Sequence, residues 1–130
     1  FNSLNKKINE KKLADHITFC GARSDIAAVY KISDIVMNLS SKPEPFGRTI
    51  IEAAACGSHV MGWDRGGVQE SIHSINPAGL VEYGNVDMLV QKIDQVLQSS
   101  PPQSIPEQFT KEFLANATLN VYEEALSKFS

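Results

Sequence analysis

Short apolar runs alternate with longer amphipathic stretches along the chain. The runs at 17–20, 35–39, 59–62 and 79–82 predict four β-strands. The stretches at 5–14, 24–31, 47–56, 68–72 and 87–98 are predicted to be helical, and two more helices are expected at 106–114 and 117–129. Strands that alternate with helices predict an α/β fold, here a three-layer α/β/α Rossmann-like domain with a parallel sheet.

The length of 130 residues is typical of one domain, so 1–130 is expected to be a single unit that ends in C-terminal helices over 106–130. The chain opens with Phe-Asn-Ser rather than Met, and a charged helical stretch follows at once. Four strands are also slightly few for such a sheet. We therefore expect an N-terminally truncated piece of a longer protein.

Composition and charge exclude several classes of protein. Hydrophobic residues make up 42% and charged residues 21%, as in ordinary globular proteins. The net charge of -3 argues against a nucleic-acid partner, which usually requires a basic surface. No run approaches the ~18 apolar residues of a transmembrane segment. The two cysteines are expected to be unpaired, which fits a cytoplasmic location.

The most informative stretch is 43–57, which carries two carboxylates eight positions apart. Glu44 lies in a Pro-flanked loop after the strand at 35–39, and Glu52 lies inside the helix that this loop opens. Phe46 and Gly47 stand between them. The first amides of a helix bind anions, and a glycine lets a phosphate or sugar approach the backbone. Carboxylates beside such a site suit sugar and ribose hydroxyls, so the pattern predicts a nucleotide-sugar pocket.

Each of these residues also has a purely structural interpretation. Arg48 and Glu52 are four positions apart on a helix and could form only a surface ion pair. Glu44 could be a solvated loop residue. Gly66 and Gly67 could make a plain tight turn, and Glu70 could merely complement the dipole of its helix.

The flanking residues favour the functional interpretation, because the chain resembles a known family. The stretch 40–57 resembles the signature of GT-B fold retaining glycosyltransferases, the group 1 or family 4-like enzymes typified by those of bacterial polysaccharide and lipopolysaccharide biosynthesis. Its hallmark is Glu, seven intervening residues, then Glu. The family's Gly-Gly-x-x-Glu turn matches 66–70, its Gly-Leu-Val strand matches 79–81, and the strand and glycine before its base-binding loop match 19–21.

The resemblance implies roles for individual residues in a C-terminal, donor-binding domain. Glu44 is expected to act as the catalytic residue, in contact with donor-sugar hydroxyls near the reacting centre, and Glu52 to hold the ribose. The other expected donor-binding residues are Phe46, Gly47, Arg48, Gly21, Arg23, Gly66, Gly67 and Glu70.

The resemblance also implies the partners. The intact enzyme would transfer a hexose-type sugar from a UDP- or GDP-linked donor to a saccharide or lipid-linked acceptor. The acceptor would be bound by an N-terminal domain that is not part of 1–130. No metal and no cofactor besides the donor is expected, and membrane association of the full-length protein is left open.

One departure from the family pattern matters for activity. The Gly-Arg…Lys-Gly element that clamps the diphosphate is missing, and the N-terminal lysines do not stand in its context. The chain alone is therefore expected to be inactive. Two alternatives remain: a sugar-nucleotide 2-epimerase domain and a non-enzymatic, flavodoxin-like α/β binding module.

Overall fold

The computed structural model describes residues 2–128 as a parallel sheet covered by helices. The strands are β1 (Ile35–Asn38), β2 (His59–Trp63) and β3 (Leu80–Val81). The α-helices are α1 (Asn2–Glu10), α2 (Ile26–Ile32), α3 (Arg48–Ala55), α4 (Gly66–Ile75), α5 (Val86–Gln98) and α6 (Lys111–Ser127). Short 3-10 helices cover Ala14–His16, Pro77–Gly79 and Glu107–Phe109.

The strands lie in the order β1-β2-β3, and both pairs are parallel. Asn38 at the end of β1 is level with Gly62, which is in turn level with Leu80 of β3. The carboxyl ends of all three strands therefore meet at one edge of the sheet. Ligands of open α/β sheets bind at this edge.

Two hydrophobic clusters fill the two faces of the sheet, because successive strand side chains point to opposite sides. Val60 of β2 packs against α2, α3 and α4, whereas Met61 and Trp63 pack against α5. α3 and α4 share a face because successive right-handed crossovers in one direction place their helices on the same side. The predicted three-layer α/β/α architecture with a parallel sheet is thus confirmed.

Two predicted features are wrong. Residues 17–20 form no strand, although Ile17 is extended, because a strand exists only where its backbone is paired to a neighbour. The two helices expected at 106–114 and 117–129 are instead one 3-10 turn and the continuous helix α6. Residues 115–116, which separate the two expected helices, are part of α6. They are Ala and Asn, and neither residue breaks a helix. The expected end at residue 129 lies outside the described residues.

α3, the helix that carries Glu52, is held by burial rather than by a side-chain cap. The residue before it is Gly47, which has the left-handed conformation (φ +67°) and no side chain that could cap the helix. Ile50, Ala53 and Ala54 are buried against the sheet. The helix ends at Ala55, and Gly57 follows with a positive φ, as is common after helix ends. None of the helices described in 2–128 is long and apolar enough to cross a membrane.

α5 covers the second face and begins at an effective N-cap. The side-chain oxygen of Asn85 accepts a bond from the amide of Met88 at 2.9 Å. We expect Asn85→Ala to lower the free energy of unfolding by about 1 kcal/mol, because this amide would lose its acceptor. Urea denaturation checks the value, with Asn116→Ala on the exposed surface of α6 as control. An equal change in both variants would contradict the capping role.

Candidate functional site

The loops that follow β1 and β2 pack backbone against backbone at the carboxyl edge of the sheet. The amide of Gly67 donates to the carbonyl oxygen of Glu44 at 2.7 Å. The hydroxyl of Ser71 donates to the carbonyl oxygen of Phe46 at 3.0 Å. These bonds hold the loop that carries Glu44 against the N-terminal half of α4.

Three glycines permit this close approach. A Cβ at Gly67 would lie 2.4 Å from the carbonyl oxygen of Pro45, and one at Gly66 would lie 2.8 Å from that of Glu44. At Gly47 a Cβ would lie 3.0 Å from the carbonyl oxygen of Gly67. Gly47 and Gly66 also have positive φ values. Gly66 and Gly67 thus have a packing role, and their expected contact with a donor stays a prediction.

Glu44 is half-buried beside a small cavity of about 10 Å³. Its Oε1 accepts a bond from the hydroxyl of Ser40 at 2.9 Å. The cavity is lined on its other sides by the ends of β1 and β2, including Asn38, Trp63 and Arg65. The carboxylate is therefore held by its own loop, and Glu44 lies beside the cavity at the end of the sheet.

Asn38 is a positioning residue that sequence reasoning missed. Its side-chain amide donates to Thr49 Oγ1 at 3.2 Å, and its Oδ1 accepts from the amide of Ser40 at 3.2 Å. It thereby links the end of β1 to the first turn of α3 and to the loop of Glu44. A polar residue inside the apolar run 35–39 was the available signal, because buried amides are normally bonded.

Glu52 lies on a different part of the surface. Its Oε1 is 3.2 Å from Nη2 of Arg48, and the side chains are 43% and 79% exposed, respectively. The surface ion pair considered above is therefore present, although such pairs contribute little to stability. Glu52 also lines a groove of about 330 Å³ with Phe46 and Phe109. The structure does not bring Glu44 and Glu52 into one cavity.

Tyr30 lies close to Glu52, beneath α3. Burial raises the pKa of the Tyr30 phenol above its usual value, and the nearby carboxylate of Glu52 adds to this effect. The hydroxyl of Ser58 donates to the carbonyl oxygen of Tyr30 and closes this side of the core. Glu52 is thus at the boundary between the core and the groove.

Trp63, Arg65 and Tyr83 form an aromatic and cationic cluster at the ends of β2 and β3. The guanidinium carbon of Arg65 lies 4.0 Å from the centre of the Tyr83 ring. Trp63 meets the same ring edge-on, with centroids 6.0 Å apart. No role could be assigned to Trp63 or Arg65 from their positions in the sequence, and Tyr83 belongs to none of the motifs considered there.

The remaining predicted residues are not joined to this edge by the contacts described in 2–128. Gly21 and Arg23 lie in an exposed loop, where Arg23 makes two bonds to Asp25, of 2.8 and 2.5 Å. The guanidinium holds the pKa of Asp25 below its usual value. Glu70 is exposed on α4. The roles assigned to these three residues stay predictions.

The cavity and the groove are lined by groups that bind alcohols and anions. Carboxylates accept bonds from hydroxyl groups, and the first amides of α3 and α4 have no acceptor within their helices. Within residues 2–128, no three His, Cys, Asp or Glu side chains come together as they would around a metal ion.

The family model of "Glycosyl transferases group 1" matches residues 1–113. The chain belongs to this family. The expected resemblance is therefore confirmed at the level of the group 1 glycosyltransferases.

Named relatives agree with this assignment. N-acetyl-alpha-D-glucosaminyl L-malate synthase of Bacillus anthracis is 26% identical over 97% of the chain, which corresponds to 35% of that enzyme. D-inositol 3-phosphate glycosyltransferase of Mycobacterium ulcerans is 32% identical over 71% of the chain and 20% of the enzyme. This group 1 chain therefore spans about a third or less of the length of these relatives.

Solved structures show the same fold. A glycosyltransferase of Rickettsia africae is 33% identical over 96% of the chain and 36% of its own length, with a TM-score of 0.79. Anabaena HepE in complex with UDP-glucose is 33% identical over 75% of the chain and 27% of its own length, with a TM-score of 0.68. The latter protein has also been solved with UDP and glucose.

Proposed function

We propose that this chain is the donor-binding half of a GT-B retaining glycosyltransferase. The whole protein would transfer a hexose-type sugar from a nucleoside diphosphate to a saccharide or lipid-linked acceptor, as in polysaccharide or lipopolysaccharide biosynthesis. One observation carries the proposal: Glu44 lies in the loop that leads to the glycine-initiated start of α3 at the carboxyl edge of a parallel sheet, and Glu52 lies about one turn into that helix.

Glu44 and Glu52 line two different openings, and a donor with two hydroxyl-rich ends would use one glutamate at each end. Glu44 would accept bonds from the sugar, because it lines the cavity at the end of the sheet. Glu52 would accept bonds from the ribose. Arg48 donates to only one of its oxygens, Oε1, so the carboxylate keeps free acceptor sites. The diphosphate would lie between them, at the amides of Gly47 and Arg48.

This arrangement supplies electrostatic catalysis. Helix amides stabilise the negative charge of a departing diphosphate, and a carboxylate stabilises a positively charged sugar in the transition state. The proposal includes no metal and no cofactor besides the donor. We also expect no transfer by 1–130 alone, because the acceptor would be bound by another part of the protein, and we place that protein in the cytoplasm.

Uridine is the base that we favour. The Anabaena protein, which shares the fold and a third of the aligned residues, has been solved with UDP and with UDP-glucose. The relatives described above include a synthase and glycosyltransferases, so neither the epimerase nor the binding module gains support.

Titration of the isotopically labelled chain with millimolar UDP, GDP and ADP tests the proposal, with backbone amides followed by two-dimensional NMR. We expect one nucleotide to shift the amides of 21–23, 47–52 and 66–67. Inorganic phosphate at equal concentration is the control for unspecific anion binding. Absence of shifts with all three nucleotides would contradict the proposal, as would shifts equal to those caused by phosphate.

A further inference from the structure

Arg65 is a half-buried cation at the edge of the sheet where Glu44 lies. It precedes α4 as the N-cap residue and has an extended backbone conformation. Its guanidinium lies over the ring of Tyr83 and lines the same small cavity as Glu44. Among residues 2–128, no carboxylate lies within ion-pair distance of Arg65. The cation is thus held by an aromatic ring and not neutralised by an acid.

Tyr83 connects the loops that follow all three strands. It comes two residues after β3, and its hydroxyl donates to the carbonyl oxygen of Ser41, in the loop after β1, at 3.4 Å. Its ring meets Trp63 at the end of β2 and Arg65 just beyond. Tyr83 is 51% exposed, so these contacts orient Arg65 more than they bury it.

The surroundings of Arg65 suit an anion. α3 and α4 both begin at this edge, and their first turns are in contact through Gly47 and Gly67. The positive ends of the two helices therefore lie side by side. Lys42 adds a second cation to the wall of the cavity. A planar guanidinium is well suited to phosphate oxygens, which it can bind through two parallel bonds.

We propose that Arg65, oriented by the ring of Tyr83, binds the sugar-linked phosphate of the nucleoside diphosphate donor. This inference rests on the proposed function, which places the donor sugar at Glu44. The phosphate bonded to that sugar must lie within a few ångströms of it, and Arg65 lines the cavity of Glu44. Arg65 thus contacts the donor, whereas Tyr83 is a positioning residue.

Arg65→Gln tests the contact. We expect the dissociation constant of UDP, measured by NMR titration of the chain, to rise about fivefold, because a half-exposed charge-assisted bond is lost. The dissociation constant of UMP should change by less than about twofold, because UMP lacks the sugar-linked phosphate that Arg65 is proposed to bind. Affinity for UDP should also depend less steeply on salt in the variant.

Two Tyr83 variants test the positioning. Tyr83→Phe keeps the ring and removes the hydroxyl, so UDP affinity should change by less than about twofold, since the lost bond is long and exposed. Tyr83→Leu removes the ring, and affinity should fall about threefold, as expected for a cation–π contact. In the Arg65→Gln background Tyr83→Leu should have no further effect. Lys6→Gln on α1 is the control for removal of a positive charge.

The outcomes separate this inference from the proposed function. If the unaltered chain binds UDP and Arg65→Gln binds it equally well, Arg65 makes no phosphate contact and the proposed function stands. An equal loss for UDP and UMP would also contradict the inference. If the unaltered chain binds none of the nucleotides, the proposed function and the inference both fail. A fold change confined to UDP and absent in Lys6→Gln supports both.

Discussion

Gly67→Ala is expected to lower the free energy of unfolding by about 3 kcal/mol, because the added methyl group has no space. Its Cβ would lie 2.4 Å from the carbonyl oxygen of Pro45 and 2.5 Å from the nitrogen and Cα of Phe46. These neighbours are backbone atoms, which cannot rotate away as a side chain would. The loop of Glu44 must therefore move, and the bond from the Gly67 amide to the carbonyl oxygen of Glu44 would break.

The intrinsic preference of alanine for helices acts in the opposite direction. Gly67 lies in the first turn of α4, where alanine is favoured over glycine by up to about 1 kcal/mol. Steric overlap outweighs this gain, because three backbone atoms are approached to 2.5 Å or less. Since φ at Gly67 is not positive, strain of the backbone conformation contributes nothing to the expected loss.

Gly57→Ala is the matched control. Gly57 has a φ of +87°, and a Cβ added there would meet no atom within 4 Å. Only conformational strain of about 1 kcal/mol is therefore expected. Urea denaturation of both variants measures the two changes. A Gly67→Ala variant as stable as Gly57→Ala, with an unshifted Glu44 amide in the NMR spectrum, would contradict the close packing of the two loops.

The part of the fold that could be predicted from the sequence is the part where burial leaves a periodic pattern. β1, α3, β2, α4, β3 and α5 lie within a few residues of their expected positions. Residues 17–20 have the same apolar pattern as these strands but no partner in the described sheet. Local pattern records side-chain preference and cannot show whether a neighbouring strand is available for pairing.

The C-terminal region shows the same limit. α6 contains apolar residues such as Phe113 and Leu114, but none of its residues is buried. Because no face of this helix is fully covered in the structure, its periodicity held little information about where it begins and ends. Up to residue 128, the region is helical as expected, but it contains one 3-10 turn and one α-helix instead of two α-helices.

Within the candidate site, the motif residues could be predicted from the sequence, but the residues that hold them in place could not. Glu44, Glu52 and the three glycines belong to local spacings that can be seen in a single chain. Asn38 and Tyr83 act across loops, and the bond from Tyr83 to Ser41 joins residues 42 positions apart. Such contacts depend on which strands are neighbours and cannot be derived from spacing alone.

Glu52→Gln is expected to raise the dissociation constant of UDP at least about tenfold, because hydrogen bonds to charged groups contribute about 1.5–3 kcal/mol. Glutamine has nearly the same shape as glutamate and lacks its charge. The ion pair with Arg48 is also lost, but it is exposed and stability should change by less than about 0.5 kcal/mol. Unfolding measurements can therefore be used to separate a binding effect from a folding effect.

Comparison of UDP with 2′-deoxy-UDP identifies the group that Glu52 contacts. The unaltered chain should bind UDP more tightly, and Glu52→Gln should reduce this preference, since in the proposed complex the 2′-hydroxyl donates to the carboxylate. Glu123→Gln on the exposed surface of α6 is the control for loss of a negative charge. If Glu52→Gln bound UDP as well as the unaltered chain, Glu52 would not hold the ribose. The role of Glu52 would then be limited to its surface ion pair with Arg48.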